Sequence, residues 1–179
     1  ETFSYNLSQL VIFTFINTMG NDIINLKVYA STLVWFAYVF ALATSQSSQI
    51  MVGYLIGAGK YDEANERTIK TFKCSAPVSV GITLVLLIFS DQIFTALKCP
   101  EYVLSLGKTI LIIELVLEIG RAYNMIFIRA LQAAGDVIFP VIVGIIFMWI
   151  VSVGLGWFLG LHLGLGIIGF WIAMAADEC

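Results

Sequence analysis

The sequence predicts an all-α membrane protein, a polytopic helical bundle of about six transmembrane helices. Of its 179 residues, 60% are hydrophobic and only 12% charged, whereas ordinary soluble domains carry about 25% charge and roughly 45–50% apolar residues. A soluble core cannot hide that much apolar surface, so lipid must solvate much of it. Long apolar runs recur between short polar turns. They exceed the roughly 9–11 residues of a barrel strand and lack strict alternation, which excludes a β-barrel. The net charge of -3 is weak and spread out, giving no reason to expect a nucleic-acid partner.

The first segment runs over 2–19 and stops at the turn signal Gly20-Asn21-Asp22. The second, 28–56, is longer than a straight span requires, and its polar stretch at 44–49 predicts tilt or a local break. Gly53 and Gly57, four apart, permit close helix approach, and Gly59 is expected to end the helix in a left-handed cap. The linker over 60–70 predicts a short amphipathic surface helix, with Asp62 and Glu63 in its first turn and Lys70 near its end. A third segment covers 74–89 with Pro77 near its start, and 91–100 reads as a loop.

The fourth segment, 103–128, is interrupted by ionisable residues, and a polar elbow at 132–136 leads to the fifth, 137–161. A turn at 162–166 precedes a final apolar run that ends at Ala176. That run falls short of the ~20 residues a crossing needs, and Glu1 opens directly into a helical pattern, so both ends are expected to be cut. Lys60, Arg67, Lys70, Lys73 and Arg129 fall on one side of this topology, against Lys27, Lys98 and Lys108 on the other. The bias places 59–73 and the 132–136 elbow in the cytoplasm. Cys74 and Cys99 then lie near opposite faces and cannot bridge, and the three cysteines have no metal-ligand spacing with His162.

The fourth segment carries Glu114, Glu118, Arg121 and Asn124 at spacings of four, three and three. At about 100° per residue they share an arc of about 120°. Each charge at a bilayer centre costs roughly 2.5–3.5 kcal/mol on insertion scales, so the arc must face protein or water. It reads either as a polar lining for a solute or coupling-ion pathway, or as an ion pair that pins helix packing. Glu114 is expected nearest the outer interface. On the first helix Thr2, Asn6, Gln9 and Asn17 share a face, with Glu1 and Tyr5 at its margin. Those amides suit either substrate contact or interhelical bonding. No phosphate-binding Gly-Lys-Ser/Thr and no nucleophile–base set is present, so the chain is not expected to be an enzyme.

Three stretches carry a family resemblance. GYLIGAGKYDEANE (53–66) resembles the loop after the eighth helix of the multidrug and toxic compound extrusion (MATE) transporters. GRAYNMIFIRALQAAGDVIFP (120–140) resembles their tenth helix and following loop, and GIIGFWIAMAADE (166–178) the start of the twelfth. The resemblance implies that 1–179 is the carboxy-terminal lobe, family helices seven to eleven and the start of twelve. The other partners it implies are the missing amino-terminal lobe, the lipid bilayer and a small-molecule substrate. It also implies alternating access in the cytoplasmic membrane, with proton or sodium entry driving export of amphipathic organic cations, and no cofactor beyond that ion.

In this alignment Arg121 stands where some sodium-coupled members carry an acid, and Glu118 lies about one turn earlier. The pathway residues expected on this basis are Glu118, Arg121, Asn124, Asn6, Gln9 and Glu1. A flippase for lipid-linked oligosaccharides, from the same superfamily, is expected to show a more cationic cavity. A membrane subunit that does not transport would use the arc only to dock a partner.

Overall fold

In an apolar solvent every backbone N–H and C=O must find a partner within the protein, which favours long unbroken helices. The computed structural model describes residues 2–96 and 101–179, and among them no strand occurs. Glu1, Lys98, Cys99 and the Thr2 side chain lie outside the described residues. The helices are α1 (Thr2–Asn17), α2 (Asn21–Gly57), α3 (Tyr61–Ile88), α4 (Ser90–Ala96), α5 (Glu101–Ala133), α6 (Ile138–Phe147) and α7 (Ile167–Glu178). Two π-helical stretches, Met148–Leu155 and Phe158–His162, continue α6. Three helical segments are long and apolar enough to cross a membrane: Asn21–Gly57, Tyr61–Ile88 and Ile138–His162.

Of the two outcomes expected at 44–49, tilt or a local break, the break does not form; α2 runs unbroken for 37 residues. Its hydroxyls satisfy themselves without disturbing the ladder. Thr44 and Ser47 donate to the carbonyls of Phe40 and Ala43, Ser45 donates to Leu42, and Ser48 reaches Thr71 of α3 at 3.3 Å. The helix ends as the glycine pattern predicts. Gly59 takes φ +74°, its N–H bonds the Ile56 carbonyl, and the Lys60 N–H bonds that of Leu55. This is a Schellman cap. The elbow repeats it at Gly135, with φ +95° and the Asp136 N–H on the Leu131 carbonyl.

Two further expectations fail for a shared reason, that one side-chain pattern continues across a boundary drawn on polarity. The 60–70 linker and the third apolar segment form a single helix, α3, with Pro77 inside it. Ala64, Thr68, Ser75, Ser79 and Thr83 bury one narrow small-residue stripe along its whole length. That stripe lets α2 and α5 approach closely. On its solvated end, ion pairs Lys60–Glu63 and Glu66–Lys70 stiffen the first turns. The 91–100 loop contains α4, nucleated by a fully buried Phe94. Its ring fits against Gly107, where a Cβ would stand 2.8 Å away.

The fifth segment departs from α-helical geometry because glycines open its flank. Phe170 of α7 occupies the space beside Gly156, whose Cβ would come within 2.9 Å of the ring. Gly169 lies against the chain so tightly that a Cβ there would stand 2.6 Å from the Gly160 nitrogen. Wide π-turns at this point fit the ridge of α7. Phe170 and Trp171 thereby join Ile12, Ile16, Leu26, Ala30, Ile110 and Leu111 in one buried cluster. The outward faces stay apolar: Trp35, Phe36, Ile138, Phe139 and Ile150 are all exposed. That surface suits acyl chains, not water.

Close packing at Gly169 yields a prediction. In the full-length protein Gly169→Val should lower stability by at least about 2 kcal/mol, since backbone cannot yield to the new side chain. Gly144→Ala should leave it unchanged, because nothing lies within 4 Å of that position. Thermal unfolding in detergent reads both; equal melting temperatures for the two variants would contradict this packing.

Candidate functional site

The site is built on α5. Its residues at 114, 118 and 121 recur at helical spacing, so one face of a 33-residue apolar helix carries charge into the bundle. That face turns inward. The Glu114 and Glu118 side chains are 1% and 0% exposed, and Arg121 14%. Glu114 therefore faces the bundle interior. Its Oε2 accepts a 2.8 Å hydrogen bond from the indole N–H of Trp171 on α7. Burying that carboxylate is tolerable because the indole and a guanidinium both face it.

Arg121 holds the centre. One terminal nitrogen donates to Glu118 Oε1 and also lies 3.0 Å from Glu114 Oε1. The Tyr38 ring of α2 flanks the guanidinium, its centroid 5.8 Å away, an arrangement that favours the cation. Tyr5 of α1 and Glu178 of α7 lie within electrostatic reach of Arg121. One turn further along, Asn124 donates to Glu178 Oε2 at 3.0 Å. Between them α5 and α7 meet backbone to backbone: a Cβ on Gly120 would stand 2.6 Å from the Glu178 carbonyl oxygen.

Two oxygens of this cluster, Glu114 Oε1 and Glu118 Oε2, are buried without a hydrogen-bond donor among the described residues. Two acids against one guanidinium leave a net negative charge when both are ionised, and Glu178 adds another. No group of His, Cys, Asp and Glu able to hold a metal ion occurs among the described residues. Protonation of one carboxylate would remove the negative charge that Arg121 leaves unbalanced.

Of the residues singled out from sequence, Glu118, Arg121 and Asn124 come together here. Asn6 is exposed and Gln9 half-buried on α1, and among the described residues neither hydrogen-bonds the cluster. Ser4 of α1 instead bonds outside the cluster, accepting from the Trp149 indole of the π-helical stretch at 3.0 Å. Trp171 and Glu178 were missed. An acid two residues beyond an apolar run was the available signal for Glu178, since ionisable groups at membrane depth are seldom incidental. Nothing in the sequence marked Trp171 as a donor to α5.

The MatE family model matches residues 1–158. The chain is 35% identical over 178 residues to the uncharacterized transporter YisQ of Bacillus subtilis, covering 99% of this chain and 39% of that protein. It is 26% identical over 137 residues to multidrug and toxin extrusion protein 2 of Oryctolagus cuniculus, covering 76% of this chain and 23% of that protein. Among solved structures, that of MATE in complex with MaD5 aligns with a TM-score of 0.85 at 17% identity. It covers 98% of this chain and 40% of the other. An outward-facing multidrug resistance MATE family transporter aligns at 0.77, also at 17% identity, covering 99% of this chain and 39% of its own. The chain thus spans about two fifths of the length of YisQ and of both solved transporters.

The electrostatic arrangement predicts a non-additive mutant series. Arg121→Leu strands two buried carboxylates and should cost about 3–5 kcal/mol, the usual penalty for removing one partner of a buried pair. Replacing Glu114, Glu118 and Arg121 together by Leu should recover most of that loss. Chemical denaturation of the full-length protein in detergent checks both; a triple variant less stable than Arg121→Leu would refute the arrangement.

Proposed function

The chain belongs to the MatE family, and from that membership we propose that it forms one lobe of a secondary active exporter. The exporter moves small amphipathic or cationic organic compounds outward across the cytoplasmic membrane, driven by proton or sodium entry through alternating access. The observation that carries the reading is the buried Glu114–Glu118–Arg121 cluster on α5, set in a bundle whose outer faces are apolar. A buried carboxylate without full compensation is costly in a bilayer, on the order of 2.5–3.5 kcal/mol. Binding a proton or cation removes that cost, so occupancy of Glu118 favours one packing of the helices over another. Arg121 compensates the charge while the site is empty, and Asn124 steadies the adjoining stretch of α7 through Glu178.

One cation entering down 100 mV releases about 2.3 kcal/mol, which sustains roughly a fiftyfold gradient of a neutral solute exchanged one for one; a monovalent cationic solute exchanged one for one moves no net charge, so its export draws on the concentration gradient of the coupling ion or on entry of more than one ion. Excess Lys and Arg at 59–73 and Arg129 support a cytoplasmic location for that end of the bundle. Two relatives, probable multidrug resistance proteins of Bacillus licheniformis and Bacillus subtilis, support the class of cargo.

Expression of the full-length gene in an efflux-deficient strain tests the reading. The wild type should raise tolerance to a cationic dye and extrude it from energised vesicles. Glu118→Gln should abolish coupled extrusion while inserting into the membrane in normal amount. Dye extrusion by Glu118→Gln at the wild-type rate and coupling would overturn the assignment, as would a wild type that moves no dye.

A further inference from the structure

The guanidinium of Arg121 faces two acceptors but hydrogen-bonds only one. It donates to Glu118 Oε1, whereas Glu114 Oε1, 3.0 Å from the same nitrogen, is left without a well-directed hydrogen bond. Glu114 cannot turn that oxygen elsewhere, because its other oxygen is fixed by the Trp171 indole. A contact at ion-pair distance but without an aligned hydrogen bond, held ready by a partner on a different helix, is a partly filled second seat for the guanidinium.

From this geometry we infer that Glu114 is a positioning residue for the coupling site, a second seat that competes with Glu118 for Arg121 and that Trp171 adjusts. The inference rests on the reading of Glu118 as the coupling carboxylate. When a proton or cation occupies Glu118, its hold on the guanidinium weakens, and Arg121 completes its bond to Glu114. The shift is local, a rotation about the long Arg side chain. It carries consequence because Glu114 is bonded to α7, while Glu118, one turn away, is not, among the described residues. Arg121 seated on Glu114 therefore links the charge state of α5 to α7, and through the Phe170 and Gly169 contacts to the π-helical part of the neighbouring helix.

The other titratable groups around the cluster are Tyr5 on α1, Tyr38 on α2, and Asp177 and Glu178 on α7. Glu178 has its own partner in Asn124, and Tyr38 meets Arg121 through its ring. Glu114 alone presents a free buried oxygen to the guanidinium besides Glu118.

Competition gives the two partners of the seat opposite effects, which a merely structural role would not. Glu114→Gln leaves Glu118 with the whole guanidinium, so the coupling cation must displace more. The proton or sodium concentration at half-maximal efflux should rise at least threefold, with the maximal rate within about twofold of wild type. Trp171→Phe removes the indole donor, so Glu114 depends on Arg121 alone and draws it away from Glu118. The half-maximal concentration should fall at least twofold. Glu114→Asp should lie nearer wild type than Glu114→Gln.

The experiment is dye efflux by the full-length protein in liposomes, titrated with pH at fixed sodium and with sodium at fixed pH, and normalised to folded protein. Opposite shifts support the second seat. Unchanged half-maximal concentrations, or shifts of one sign in Glu114→Gln and Trp171→Phe, would overturn it. If Glu114→Gln does not fold, Trp171→Phe decides alone: a half-maximal concentration lowered at least twofold supports the second seat, and an unchanged or raised one overturns it. Wild-type protein that extrudes dye with neither cation dependence would defeat the coupling reading itself, a result separate from these.

Discussion

Two buried carboxylates share one guanidinium inside a bundle whose outside is apolar. This constraint organises the rest of the structure. It requires α5 to face inward over Glu114, Glu118 and Arg121, since the three charges turned to lipid would together cost on the order of 7–10 kcal/mol, comparable to a fold's net stability. Facing inward, the arc needs neighbours that bring donors and polarisable surface. Trp171, Asn124 and the Tyr38 ring supply them. The glycines answer the same demand: Gly120 lets α7 close to backbone distance, so that short side chains can reach across.

The apolar bulk around the cluster has a second role. Helices in lipid gain nothing from hydrophobic burial against one another, so they associate through close van der Waals packing of small residues. The α3 stripe of Ala64, Thr68, Ser75, Ser79 and Thr83 serves α2 and α5 in this way, and Gly156, Gly160 and Gly169 serve α7. Packing of this kind is tight but shallow. It permits one helix pair to slide or tilt against another without exposing new apolar surface to water.

The sequence made legible whatever depends on local periodicity. The α5 arc, the left-handed cap at Gly59 and the elbow at 132–136 all follow from residue types within one or two turns, and the structure forms each. Boundaries drawn on polarity were less secure. Hydroxyls at 44–48 bond to the preceding turn or to Thr71 and leave α2 straight through, and the charged 60–70 stretch continues into an apolar span because its small-residue stripe does. Partners across helices could not be read at all. The indole of Trp171 lies 57 positions from Glu114, and Glu178 lies 54 from Asn124; no local pattern encodes such meetings. Widening of the fifth segment into π-turns likewise depends on Phe170, which belongs to another helix.

Infrared difference spectroscopy of the full-length protein in lipid, comparing the site loaded and unloaded with proton or sodium, tests the shared-guanidinium account most directly. The account predicts one buried carboxyl band that changes on loading, vanishes in Glu118→Gln, and is matched by a perturbed arginine band. Loading that leaves the arginine bands untouched, or a carboxyl change that survives Glu118→Gln intact, would contradict it.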